Sequence, residues 1–311
     1  MMEQTKKRGI AKRYARYAPL FLMMLPGLLY LVLNNYLPMF GLIIAFKDVN
    51  FAKGILGSDW IGFSNFEYLF KTRDAFIITR NTLLYNGGFI VINLVVAVGI
   101  AILLNEVKNK FMARFYQSVV LLPYLISMVI VSYLVYAVLS IETGFMNNTV
   151  LPMLGLGDVS WYSESKYWPY ILNLVHVWKS AGFLCVVYLA AIIGIDQEYY
   201  EAATLDGATK WQQIKAITLP LISPVITMMT LLAIGRIFYS DFGLFYQVPM
   251  DAGALSDTTN VIDTYVYRGL MQLGDIGMSS AAGLYQSIVG FVLVLLSNFV
   301  VRKINKDNAL F

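Results

Sequence analysis

Charge is what this chain has least of. Only 14% of its 311 residues are Asp, Glu, Lys or Arg, against about 25% in a soluble domain. Mean hydropathy is +0.64, and 58% of the residues are hydrophobic. Long apolar runs with almost no charge exclude an ordinary soluble fold and read as membrane-crossing helices. There is one cysteine, Cys185, so no intrachain disulfide can form. The one histidine, His176, cannot make a metal site alone. No Gly-Lys-Ser/Thr is present, so there is no phosphate-cradling loop. A metalloprotease His pair and a nucleophile elbow are missing too. The net charge is +4, but the basic residues lack the aromatic interleaving of a nucleic-acid surface. Nothing in the chain supports catalysis, and no cofactor or metal is expected in it.

What is present is a series of six apolar segments: Tyr17–Phe46, Asn81–Leu104, Tyr116–Leu139, Pro169–Ile193, Leu221–Tyr239 and Met278–Val301. Each is near or above the ~20 residues that cross a bilayer. Pro26-Gly27, Asn34-Asn35 and Pro38 interrupt the first, which is expected to be kinked or partly re-entrant. The basic start carries no short apolar stretch with a small-residue cleavage site, so the first segment reads as a retained helix. The expected fold is all-α, with six transmembrane helices. Residues 1–16 form a basic cytoplasmic segment and 17–311 a single membrane domain.

Lys and Arg orient the spans. One side carries Lys6, Lys7, Arg8, Lys12, Arg13, Arg16, Lys108, Lys110, Arg114, Lys210, Lys215, Arg302, Lys303 and Lys306. The other carries Lys47, Lys53, Lys71, Arg73, Arg80, Lys166, Arg236 and Arg268, while Lys179 falls within a span. The richer side is the cytoplasmic one, with both termini on it. The same count puts the polar loop at about 194–220 in the cytoplasm.

That loop has strong local signals. Asp196 is an N-cap for a short helix to about Leu205. Asp206-Gly207 is a turn pair, with Gly207 free to take positive φ. Thr209-Lys210-Trp211-Gln212 is a capping-box pattern that opens a second short helix to about Thr218. Pro220 and Pro224 then set the start of the fifth span. Two short helices at an angle are expected to project from the membrane. Ala202 and Ala203 permit close approach of a partner, and Glu201 offers a charge at the rim of that contact.

Between the first two spans, Ser64-x-x-Glu67 is another capping-box pattern, and Phe63 with Tyr68 is placed as a hydrophobic staple. Phe66, Leu69 and Phe70 make an apolar stripe, so an amphipathic helix at the outer interface is expected. Polar groups within spans are candidates for a solute path because burying them is costly. Asn173, His176 and Ser180 share a face of the fourth span at i, i+3 and i+7. Lys179, beside Trp178, lies about 15 Å inside the outer end at 1.5 Å per residue. It must snorkel, cap backbone carbonyls, meet an acid elsewhere or face water. Tyr133, Tyr136, Tyr188, Tyr239, Tyr285 and Gln286 offer stacking and hydrogen bonds to a sugar, against the plainer alternative of interfacial or packing aromatics.

The register Glu201-Ala202-Ala203, Gly207, Ile217, Leu219-Pro220 resembles the EAA loop of the membrane permeases of binding-protein-dependent ABC importers. Asp206 stands beside the glycine of that pattern. The likeness continues through Pro38-Met39-Phe40-Gly41, Ile44-Ala45-Phe46-Lys47-Asp48 and Gly54-Ile55-Leu56-Gly57-Ser58, which are similar to the first permease of oligosaccharide importers. That branch includes the lipoprotein/polysaccharide transport permeases of Gram-positive bacteria. Trp60 to Phe66, Gly144-Phe145-Met146-Asn147 and Trp178-Lys179-Ser180-Ala181-Gly182 also resemble carbohydrate permeases. Ile214 stands where the pattern is commonly aromatic. The resemblance implies a bacterial plasma-membrane complex. Its parts would be a second homologous permease, two ATP-binding subunits holding ATP and Mg, an extracellular solute-binding lipoprotein and an oligosaccharide substrate. Lys179 and Arg236 would suit the carboxylates of a uronic-acid-containing sugar. An ion-coupled secondary transporter is the alternative, but no internal repeat and no carboxylate within a span supports it.

Overall fold

A computed structural model describes residues 2–304, with the side chains of 2–16, 68, 69 and 304 left aside. Lys306 lies outside the described residues, as do the side chains of Tyr68 and Leu69 and of the basic residues Lys6 to Arg16. The protein is a helical bundle. Among the described residues, five helical stretches are long and apolar enough to cross a membrane, and counting the one bent pair as a span gives six.

The first stretch, Tyr17–Phe46, combines α1 (Met2–Leu31) with a wide π turn at Val32–Tyr36, a short helical piece at Leu37–Met39 and a 3-10 turn at Phe40–Phe46. Together these pieces make one helical stretch of 30 residues. The π turn takes up Asn34-Asn35 and delivers Pro38 to the first turn of the next piece, where a missing N–H costs nothing. A two-residue antiparallel pair follows, β1 (Lys47–Asp48) with β2 (Asp59–Trp60). Lys47 closes it by donating from Nζ to the carbonyls of Ile55 at 3.1 Å, Leu56 at 2.8 Å and Ser58 at 3.2 Å.

The amphipathic helix is α2 (Ser64–Lys71). Its expected capping box does not form. Phe63 is the N-cap, Ser64 Oγ donates back to the Ile61 carbonyl at 2.9 Å, and Glu67 is taken by Lys71 one turn on. Its aromatic face is only partly covered by protein, with Phe66 half-buried and Phe70 exposed. Phe66 packs 5.4 Å from Phe46, and Phe70 meets Tyr285 edge-on at 5.1 Å.

The second span is α3 (Arg73–Asn105) and the fourth is α6 (Trp168–Ile193); they form the most extensive helix contact in the bundle. The third span is two helices, α4 (Lys110–Leu125) and α5 (Met128–Leu139), meeting at 95°. Pro123 removes a helical donor, Ile126 turns extended, and Ser127 restarts the chain as an N-cap. The loop helices are α7 (Gln197–Leu205) and α8 (Lys210–Gln213). The fifth span does not begin afresh at Leu221. From α8 a π turn at Ile214–Thr218 leads straight into α9 (Leu219–Gly235), one helical run over Lys210–Gly235. Pro220 sits in the first turn after the π turn, where its lost donor is absorbed. The span also ends early, at Gly235 rather than Tyr239. Beyond it come a buried π turn at Gly243–Gln247, α10 (Ile262–Met271) and the last span, α11 (Ile276–Ile304).

Three buried clusters hold the bundle. One, around Tyr85, Phe89, Trp168, Leu172, Leu244 and Phe245, sits at the end remote from the α7–α8 loop. A second, around Ala101, Cys185, Ile192 and Ile222, sits at the loop end. The third joins Ile78, Phe238, Ile262 and Ala282.

Candidate functional site: a braced loop and a polar cavity

The loop is built as its sequence directs. Asp196 Oδ1 accepts from the Glu198 amide at 3.0 Å and starts α7. At the other end Gly207 has φ +80°. That left-handed residue lets the Gly207 amide reach the Thr204 carbonyl at 3.0 Å and the Ala208 amide reach the Ala203 carbonyl at 2.9 Å, the two bonds of a Schellman stop. The capping box of α8 forms in full: the Thr209 amide donates to Gln212 Oε1 at 2.7 Å, and Thr209 Oγ1 accepts from the Gln212 amide at 3.4 Å.

What sequence reasoning missed is the brace between the two helices. Gln213 is buried, and its Nε2 donates to Thr204 Oγ1 at 2.9 Å and to the Ala208 carbonyl at 3.4 Å. Tyr200 and Thr218 share a hydrogen bond of 2.9 Å between their hydroxyls. Lys210 reaches Glu106, just past the end of α3, at 3.2 Å. Ile217 and Leu219 pack against the cluster at this end of the bundle. The polar Gln-Gln pair at 212–213 hid the one that turns inward. Glu201, Ala202, Asp206 and Gly207 remain exposed on the outside of the brace, with Ala203 half-buried and Pro220 exposed at the start of α9. Leu205 is 89% exposed and Trp211 70%. This pair is an exposed apolar patch at the tip of a polar loop, legible in the sequence.

The second site is a cavity of about 200 Å³ between α3, α6 and α9, lined by Asn86, Asn93, His176, Tyr188, Arg236 and Tyr239 among others. It sits where the fifth span stops. Asn86 Nδ2 satisfies the chain beyond the stop, donating to the Ile237 carbonyl at 2.7 Å and to Ser240 Oγ at 3.1 Å. Such irregular backbone within a bundle needs partners of this kind. His176 stacks on Phe89 with centroids 3.7 Å apart and planes 9° apart. Asn93 Oδ1 is buried without a partner among the described residues. Arg236 is exposed at the cavity and makes no ion pair or hydrogen bond through its guanidinium among the described residues.

The structure therefore gathers His176, Arg236 and Tyr239 with Tyr188, and separates the other candidates. Asn173 donates to its own helix at the Pro169 carbonyl, 2.7 Å, and lines a different recess with Tyr85. Trp178 lies on a wholly apolar groove between α5 and α6. Tyr133 is exposed, and Tyr136 packs on Tyr162 at 5.5 Å. Tyr285 is wedged between Phe70 and Phe238. Gln286 is buried and donates to the Phe238 carbonyl and to Asp263 Oδ2 at 3.1 Å. Asp263 also accepts from the Ser240 amide at 2.8 Å. Burial holds this carboxyl above the usual carboxylate range, outweighing the two bonds it accepts. Lys179 faces α4 and donates to the carbonyls of Pro123, Tyr124 and Ile126. Of the roles open to it, capping of backbone carbonyls is the one the structure displays.

Comparison with known proteins agrees with this architecture. Residues 93–306 match the family described as binding-protein-dependent transport system inner membrane component. The polygalacturonan/rhamnogalacturonan transport system permease protein YteP of Bacillus subtilis is 32% identical over 99% of this chain and 95% of its own length. Protein LplB of the same organism is 32% identical over 93% of this chain and 90% of its own. A chain of a bacterial ABC transporter involved in import of the acidic polysaccharide alginate superposes with a TM-score of 0.87 at 34% identity, covering 95% of this chain and 99% of that one. The interrupted spans and these likenesses agree, and the chain belongs to the binding-protein-dependent transport system inner membrane components, on the branch of the sugar permeases.

Proposed function

We propose that this chain is the translocating subunit of an ATP-driven importer of carboxylate-bearing oligosaccharides in a bacterial plasma membrane. Both termini and the α7–α8 loop lie in the cytoplasm, as the Lys and Arg distribution supports. A second permease completes the pore. Two ATPase subunits, which hold ATP and Mg, grip the loops, and an extracellular solute-binding lipoprotein delivers the sugar. One such alginate importer chain, similar to this one with a TM-score of 0.85, is solved with an alginate pentasaccharide-bound periplasmic protein. The family match sets the ion-coupled alternative aside.

The observation that carries the proposal is the loop. Its inside is braced by Gln213 and by Tyr200 with Thr218, while Glu201, Leu205 and Trp211 stay free on its outside. A rigid lever with an unpaired outer face can pass on the motion of a partner, provided the contact differs between the partner's two states. The pathway residues are His176, Arg236, Tyr239 and Tyr188 around the cavity. Arg236 offers the free cation for a sugar carboxylate.

The test is coupling. Glu201→Ala lowers sugar uptake while the complex still assembles. Gly207→Pro acts more severely, because proline cannot adopt the +80° φ found there; the distortion costs more than about 1 kcal/mol locally. Uptake and ATP hydrolysis measured on the purified assembled complex decide it. Undiminished sugar-coupled hydrolysis in both variants would overturn the proposal.

A further inference from the structure

We propose that Lys179 is a positioning residue that holds the third span in its bent form and, through that bend, sets the wall of the solute cavity. A helix turned through 95° strands the carbonyls before the turn. Pro123 has already removed one donor from this stretch. An ammonium has three N–H donors. Those of Lys179 go to three carbonyls at the turn: Tyr124 at 3.2 Å, Ile126, and Pro123 at 3.3 Å, whose oxygen also accepts from the Ile126 amide at 3.3 Å. This occupancy argues against Lys179 as a sugar ligand.

The neighbours of Lys179 on α6 complete the clamp. A Cβ on Gly182 would lie 2.0 Å from the Val120 carbonyl oxygen and 2.7 Å from its carbon, so α4 rests its backbone directly on this glycine. Phe183 stacks on Tyr124 with centroids 4.9 Å apart. On the far arm, a Cβ on Gly243 would lie 3.0 Å from Met128 Cβ, so α5 is seated on the π turn Gly243–Gln247. Phe245 of that turn is fully buried and meets Tyr85 at 4.9 Å and Phe89 at 6.2 Å. Phe89 stacks on His176 in the cavity. A continuous run of packed groups therefore leads from the clamp to the cavity, and the angle of the bend decides where that run stands.

The experiment uses the assembled transporter in lipid nanodiscs, spin-labelled at cysteines replacing Phe115 and Val138, both exposed. Cys185 is fully buried and is left in place. With 1.5 Å per residue, the labelled backbone positions stand about 22 Å apart across the bend and about 34 Å apart in a straight helix. Wild type and Lys179→Arg, which keeps the donors, are expected at the short distance. Lys179→Met keeps the length but removes the donors, and is expected to move the distribution toward the long one. Its uptake is expected to lose about tenfold in maximal rate with an unchanged KM. An unmoved distance in Lys179→Met overturns the proposal. A raised KM in both variants at the short distance also overturns it, and makes Lys179 a solute ligand. Should Lys179→Met fail to assemble, Lys179→Gln, which keeps only two N–H donors on a shorter arm, takes its place, and an unmoved distance there is equally fatal. The role in transport rests on the proposed function, but the distance is read without transport, so the two fail separately.

Discussion

Two lysines in this chain do the same job at the residue scale. Lys47 and Lys179 each give three hydrogen bonds to backbone carbonyls where the chain turns out of regular structure. A sequence shows such a lysine as an anomaly, a charge where none is expected. It does not show the partners, because the carbonyls belong to a break 53 to 56 residues away in another helix. Gln286 and Asp263 are a related case, polar groups committed to the backbone beyond the fifth span rather than to a solute. Asp263 carries a pH prediction. Its folded pKa lies above the ordinary value of 3.8, so the folded state binds more protons than the unfolded state as pH rises through that value. Stability therefore falls with rising pH from about 3.8 up to the folded pKa and is flat above it. Asp263→Asn keeps an oxygen for Ser240 and Gln286 and loses the titration. Thermal unfolding of the purified protein across the acid range should show stability falling more with rising pH in wild type than in the variant.

Elements were legible where caps and punctuation are local. The N-caps at Asp196 and Thr209 and the left-handed Gly207 stand where their residue types place them. Breakers were harder to read, because a helix has two responses to one. Widening into a π turn keeps it continuous, as at Val32–Tyr36 and Ile214–Thr218. Breaking changes its direction, as after Pro123. Which response wins depends on whether a neighbour can satisfy the stranded backbone, and only the third span has Lys179 beside it. The brace of the loop was illegible for a similar reason, since Gln212 and Gln213 look alike until the helix axis turns one of them inward. Gln213→Leu fills the same space without the two donated bonds. It is expected to raise hydrogen exchange through 197–218 several-fold, and to lower sugar-coupled ATP hydrolysis more than basal hydrolysis. Equal exchange in the two proteins would show that the brace contributes nothing.

At the scale of the whole molecule, the cavity and the loop sit at the two ends of one piece of structure. The helix that begins at Lys210 in the loop runs unbroken to Gly235, and the next residue is Arg236 in the cavity wall. A displacement of the loop along that axis is delivered to the cavity without an intervening joint. This places the selectivity prediction here, because Arg236, proposed to meet the solute, directly follows the helix that starts in the loop. Arg236→Gln should raise the KM for an anionic oligosaccharide about tenfold and leave a neutral one of equal length unchanged. Parallel uptake assays with the two sugars check it, and an equal effect on both would remove charge recognition at this position.

The 40–46 turn and α2 both rest on α11, the last long helix among the described residues. Ala45 is fully buried, and Asn65 ties α2 to the Ala45 and Lys47 carbonyls at 3.0 and 3.2 Å. Meanwhile the stretch from Tyr17 to Phe40 is exposed along its whole length. No residue of the three core clusters precedes Ile78. During vectorial synthesis the first span and α2 must therefore wait, inserted but unfastened, until the ribosome has delivered the chain beyond Ile276. A closure that spans so much of the chain is slow in proportion to the sequence it encloses, and a nascent subunit stalled before Ile276 would hold a finished middle and a loose beginning.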